Sequence, residues 1–415
     1  MEYTSYNMNV YNLHLINTKK FKTITVDINF RRRINKDEIT IRNLLKEVLV
    51  NSSRNYPTER DLIKYTEELY DLKLLSSCSR IGNYSILSFK IRFLSEKYTE
   101  KGMNEDSIKF LLDILFNPNF NNGLDISKKK IEKSILSMKD NKSKYAILKL
   151  LESIPNKPYS YNIYGDIDVL PKITSNDLEK YYKSVIDSDV IDIFVVGDLN
   201  NDKVKNIFKE NFKVSTFHKN DTHVLVDELP KVSKILENKD IDFVNQTQLT
   251  MLCSLNGISD YERKYVALVY SELLGGTSNS ILFNTIREAN SYAYYVNSLI
   301  KPYDNNMIIY SGIDKKNEKN AIKLIKRCLK DICHGKFSKE LFLNSKNTII
   351  SSIKASLDNP IGLINNYYAK VLVGSLTPNE RIEMINKVTK DDIISFAKKV
   401  NPHSIYILES EDEKD

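Results

Sequence analysis

Two stretches of this chain, 215 positions apart, repeat one another: "KITSNDLEKYYKSV" at 172–185 and "KVTKDDIISFAKKV" at 387–400. Each has the makings of a helix start, with Thr174 or Thr389 as N-cap and Asp177 or Asp392 three residues later, close to a capping box. Each runs on into a β-branched stretch, "DVIDIFVVGDL" and "HSIYILE", that reads as a strand. A second pair keeps the same order at a similar offset, "KSILSMKDN" at 133–141 against "SSIKASLDN" at 351–359. Amphipathic helices precede both members of that pair, at 105–120 and 318–332. Two ordered matches point to an internal duplication, and a duplicated chain must build the same core twice.

The repeated unit opens with strands ("NLHLIN" and "KTITVDINF" in one copy, "QTQLTMLCSL" in the other) and passes through helices, further strands and more helices. That order predicts an α+β protein of two duplicated domains, each an antiparallel sheet with helices packed on one face. The expected boundaries are 1–210 and 241–415, joined by a polar linker at 211–240 that holds His218 and His223.

A length of 415 residues with 41% hydrophobic content supports two cores of this kind. The net charge is +7, but both signs are interspersed, and short basic runs such as "FRRRI" and "SKKKIEK" have no aromatic residues recurring beside them on one element. A solvated mixed-charge surface therefore fits better than a nucleic-acid face. Cys78, Cys253, Cys328 and Cys333 show no C-x-x-C spacing and read as thiols in a reducing compartment. No apolar run approaches the roughly 18 residues that span a bilayer, and the N-terminus lacks a charged start followed by an apolar stretch. The expectation is a soluble, cytoplasmic protein.

One segment carries recognisable chemistry. "ELLGGTSNSILFNTIREANSYAYYVNS", residues 272–298, resembles the second-domain signature of the pitrilysin/insulinase metallopeptidase family, in which a Gly-Gly turn, Ser-x-Leu-Phe, Arg-Glu and Ala-Tyr follow at this spacing. Gly275, Gly276, Ser280, Leu282, Phe283, Arg287, Glu288, Ala293 and Tyr294 match. Upstream, "YNIYGDIDVLPKIT", "DLEKYY" and "FVVGDL" resemble the end of the family's first domain, so the likeness spans nearly the whole chain.

Active members of that family carry H-x-x-E-H on an early helix and a distal glutamate ligand. Two ligands on one helical face with a base between them are what zinc-assisted hydrolysis requires. Counting back from "RNYPT" at 54–58 puts the motif on residues 43–47, where this chain has Asn43, Lys46 and Glu47. Asn43 is a poor zinc ligand, and charged Lys46 replaces the carboxylate that would activate water. The distal glutamate aligns near Ser134, with Glu132 close by. His14, His218, His223, His334 and His403 are scattered, and none pairs with another at i, i+4. No metal site is expected in this chain.

The resemblance assigns Arg287 and Tyr294 to substrate binding and catalytic support, with Gly275 and Gly276 beside them. An arginine can fork onto a carbonyl or carboxylate, and a tyrosine hydroxyl can donate to the oxyanion of a tetrahedral intermediate. In the small-subunit bacterial type, zinc comes from a sister chain with H-x-x-E-H, and the heterodimer cleaves peptides or leader peptides. Other readings stay open. Arg287 could form a surface ion pair, Tyr294 could pack in a strand, and the glycines could simply cap a helix. Asn290 and Ser291 stand where the family has a basic residue and glycine, so Tyr292 or Tyr295 could take the place of Tyr294. A non-proteolytic scaffold or peptide-binding protein of the same fold is the alternative function.

Overall fold

The computed structural model describes residues 1–214 and 224–410. Its first part runs β1 (Glu2–Asn7), β2 (Asn12–Asn17), β3 (Thr23–Arg33), α1 (Ile39–Asn51), α2 (Glu59–Glu68), β4 (Lys73–Ile81), β5 (Tyr84–Leu94), α3 (Met103–Phe116), α4 (Leu124–Asp140), α5 (Lys142–Glu152), α6 (Ser175–Ser188), β6 (Val190–Gly197) and α7 (Asn201–Asn211). The second follows with β7 (Leu236–Asp242), β8 (Thr247–Leu255), α8 (Ala267–Gly275), β9 (Ala293–Lys301), β10 (Asn306–Ile313), α9 (Glu318–Cys333), α10 (Lys339–Ser356), α11 (Pro360–Val373), α12 (Pro378–Lys387), α13 (Lys390–Ala397) and β11 (Val400–Ser410). Thr174 and Thr389 both close full capping boxes with Asp177 and Asp392, so the repeated helix starts do the same work in both copies.

The duplication is visible in the sheets. One has the order β1-β2-β6-β3-β5-β4 and the other β7-β11-β8-β10-β9. Leaving out β1, the two orders match strand for strand. Each has one parallel pair, β2 with β6 and β7 with β11, while the other pairs are antiparallel. β4 and β9 are therefore equivalent free edges.

The main helical layer covers one face of each sheet, as expected. In the first unit Ile24, Val26, Ile28 and Phe30 of β3 pack with Leu44, Leu45 and Val48 of α1, Leu111 of α3 and Leu178 of α6. In the second, Leu249, Met251 and Cys253 of β8 pack with α8, α9 and α13. The other face takes one further helix in each case. α11 covers the first sheet through Leu363, Ile364, Tyr367 and Tyr368, and α5 covers the second through Ala146 and Leu150. Residues 137–161 thus group with the second unit and 356–373 with the first, so neither 1–210 nor 241–415 is one uninterrupted unit.

The expected linker 211–240 is partly anchored: Phe212 joins the first core, Val226 and Leu229 join the cluster under α5, and its end forms the exposed strand β7. His218 and His223 lie outside the described residues. Cys78, Cys253, Cys328 and Cys333 are free thiols.

The face of the first sheet beneath α11 is polar and nevertheless buried. Asp192 of β6 accepts a hydrogen bond from Asn12 Nδ2 at 3.0 Å, and its carboxylate lies 3.5 Å from His14 Nε2 and 3.6 Å from Arg31 Nη2. His14 Nδ1 is in turn 2.9 Å from the Tyr3 hydroxyl and 3.0 Å from Ser5 Oγ. His14 is thus a structural histidine that ties β1 to the sheet.

Candidate functional site

Arg287 belongs to a π-helical stretch, Phe283–Glu288, that follows the Gly-Gly turn in the second unit. Such wide turns often occur at functional sites. The stretch ends where Ser291 N–H donates to Arg287 O and Tyr292 N–H donates to Ile286 O, both at 2.9 Å. Closing those bonds puts Ser291 at φ +53°, the left-handed conformation that glycine ordinarily supplies after a helix. The turn keeps its shape although serine stands where the family has glycine.

β9 begins directly after this turn, and its first residues break the alternation of a regular strand. Ala293 pairs with Ile313 and Tyr295 with Gly312, so Tyr294 is the extra residue of a β-bulge. Ala293 and Val296 are both buried in the core although they lie three positions apart, which the inserted residue makes possible. Tyr294 is turned outward and is 56% exposed. Its hydroxyl donates to Asp314 Oδ1 at 3.4 Å. The neighbouring tyrosines are engaged: Tyr292 packs against the core, and the Tyr295 hydroxyl donates to Gln248 Oε1.

The Arg287 guanidinium stacks over the Phe283 ring at 4.7 Å, and Nε lies 3.7 Å from Glu288 Oε1. The side chain is 46% exposed and makes no hydrogen bond among the described residues. Arg287 and Tyr294 thus flank one tight connection, with a cationic fork on one side and a phenol on the other. Asp314, which meets Tyr294, and the bulge itself were missed in the sequence. The one local hint was Gly312, where a Cβ would come within 2.5 Å of the Tyr295 ring.

The glycines are explained by packing. A Cβ on Gly275 would lie 2.7 Å from Ser298 N, so the missing side chain lets α8 settle on the back of β9. Gly276 is the C-cap of α8 in right-handed conformation, with Glu272 folded over it. Beyond it, Thr277, Ser278 and Asn279 form one wall of a cleft of roughly 660 Å³. Asn344, Thr348, Ser351 and Ser352 of α10 line the other wall, and the lining has no charged side chain.

In the first unit, the positions of the degenerate motif have structural duties. Asn43 is buried on α1, and its amide donates to Ile39 O and Ile163 O, both at 2.9 Å. It therefore pins the "YNIYGD" segment to the helix. Lys46 Nζ lies 3.0 Å from Glu47 Oε1. Next to them Arg42, fully buried, donates to Phe30 O at 2.8 Å and Asp189 Oδ2 at 2.7 Å, which anchors α1 against β3. Ser134 and Glu132 are exposed on α4. A neutral amide, an ammonium and the carboxylate paired with it do not supply the Cys, His or carboxylate set that zinc takes. Among the described residues no group of three or more His, Cys, Asp or Glu could hold a metal.

Residues 172–349 match the family model described as the peptidase M16 inactive domain. The match places the chain's likeness to M16 peptidases in its second half and the segment just before it. It is 28% identical over 409 residues to a Bacillus subtilis (strain 168) protein named "Probable inactive metalloprotease YmfF", covering 95% of each chain. Among solved structures it is similar to a conserved protein from Enterococcus faecalis V583, at 26% identity and TM-score 0.91 with both chains fully covered. It also shares the fold of a peptidase M16 inactive domain from Pseudomonas fluorescens, at 14% identity and TM-score 0.81, again over the whole of both chains. The chain thus shares the fold of M16-like proteins, and its sequence contains no H-x-x-E-H.

Proposed function

We propose that this chain is the zinc-free subunit of a heterodimeric M16 peptidase that cleaves peptides or leader peptides. A sister chain of similar size carrying H-x-x-E-H supplies zinc, water and general base, and this chain supplies Arg287 and Tyr294. The observation that carries the reading is the contrast between the two sets of residues. Asn43 is spent on pinning the 161–166 segment to α1 and Lys46 and Glu47 pair with each other, whereas the bulge in β9 turns Tyr294 outward and Arg287, half-exposed, has only a loose ion pair with neighbouring Glu288. An exposed phenol and a half-exposed cationic fork at the two ends of one turn favour the peptidase reading over a scaffold.

Each group has a chemical task. Arg287 binds a peptide carbonyl or carboxylate through two parallel N–H bonds. Tyr294 donates its hydroxyl proton in a hydrogen bond to the oxyanion that forms when water adds to the scissile carbonyl, exchanging its Asp314 partner for substrate. An extended peptide gains main-chain hydrogen bonds at a free sheet edge, for which β4 and β9 are the equivalent candidates. The neutral amide and hydroxyl lining of the cleft beyond Gly276 suits a peptide backbone in the same way.

The test is turnover of a peptide by the reconstituted pair. Tyr294→Phe is expected to lower kcat by about 10²-fold, the effect of losing one oxyanion donor, and Arg287→Ala to lower kcat/KM, with assembly intact in both. Wild-type turnover in both variants would remove the catalytic-support role.

A further inference from the structure

α9 carries a feature that the peptidase reading does not use. Its residues Lys319, Lys323, Lys326 and Lys330 fall within about 60° of one another around the helix axis and form a straight row about 16 Å long. The row points away from Ala321, Ile325, Cys328, Leu329 and Ile332, which are buried in the core. Together with Arg327, and against Glu318 and Asp331, the helix holds a net three of the chain's +7 charges.

Both acids are taken up by other cations. Glu318 pairs with Lys239 at 3.1 Å, and Asp331 pairs with Lys336 at 3.0 Å and Arg327 at 3.5 Å. None of the four row lysines has an ion-pair partner among the described residues. Like charges three and four residues apart repel one another, so the row is destabilising as it stands and gains from a counter-surface.

We infer that this row docks the protein on an anionic lipid surface. Clusters of four or more lysines on an amphipathic helix are attracted to such surfaces by about 1 kcal/mol per lysine. α9 has no aromatic residue on which bases could stack, and Arg327 beside the row is paired with Asp331. Lysine is also depleted in protein interfaces. The apolar side of α9 is committed to the core, so the helix does not insert and the attachment is electrostatic and salt-labile.

The experiment is co-sedimentation of the full chain with phosphatidylglycerol-containing vesicles and with pure phosphatidylcholine vesicles at low ionic strength. Binding to the anionic vesicles alone is expected, and affinity should fall about fivefold for each row lysine changed to glutamine. A control with Lys180, Lys183, Lys209 and Lys387 changed to glutamine removes the same charge from other exposed sites and should bind nearly as wild type. Lys319, Lys323 and Lys330 are exposed and Lys326 is half-buried, none of them in the core, so the variant should melt close to the wild type. The inference is overturned by absence of binding to anionic vesicles, by equal loss in the control, by retained binding in the row variant, or by duplex RNA displacing the protein from vesicles at matched charge.

Discussion

At the scale of single residues, the site owes its shape to substitutions that keep the geometry while changing the residue. Ser291 occupies a left-handed conformation that costs a residue with a Cβ about 1 kcal/mol, and the two backbone bonds closing the turn hold it there. Ser291→Gly is therefore expected to raise stability by a few tenths to about 1 kcal/mol, read as a higher denaturant midpoint at unchanged slope. A drop in the midpoint would mean that the serine side chain contributes something the backbone geometry does not explain. The spacing of Arg287, Tyr294 and the paired glycines was legible in the sequence, as was the absence of an H-x-x-E-H motif. What Asn43 does instead was not legible, because its partner Ile163 O lies 120 positions away.

At the scale of elements, β9 and β3 show where pattern reading stops. A bulge adds one residue without any mark in composition, so "SYAYYVNS" alone could not tell which of Tyr292, Tyr294 and Tyr295 faces outward. In β3 the alternation "TITVDINF" reads as one solvated face, yet Thr25, Asp27, Asn29 and Arg31 are buried because α11 covers them. The covering helix comes from the far half of the chain, beyond the reach of any local window. That burial has a pH consequence. Burial pushes the Asp192 carboxyl up, but His14, Arg31 and Asn12 outweigh it and leave its pKa below the usual carboxylate value. A depressed acid contributes stability that is present above its unfolded pKa of about 3.9 and is lost as pH falls through the folded value. Asp192→Asn should therefore be less stable than wild type near neutrality, with the gap closing on acidification in urea titrations at about pH 7 and about pH 3. A gap that stays constant with pH would show that Asp192 acts by shape and not by charge.

At the scale of the whole molecule, the duplication read from two short repeats reappears as two sheets of matching strand order. The repeats lie on capped helices and buried strands, which local sequence specifies strongly. The exchange of α5 and α11 between the units was hidden, since each helix is adjacent in sequence to one unit and packs in the other. The central claim is that the molecule completes a site whose metal belongs to another chain. Native mass spectrometry of tagged protein isolated from its own host, with zinc counted on the same sample, tests it most directly. The account predicts a stoichiometric second chain of similar mass that carries H-x-x-E-H and one zinc ion. A metal-free monomer or homodimer would contradict it and leave Arg287 and Tyr294 as inherited parts of a site no longer in use.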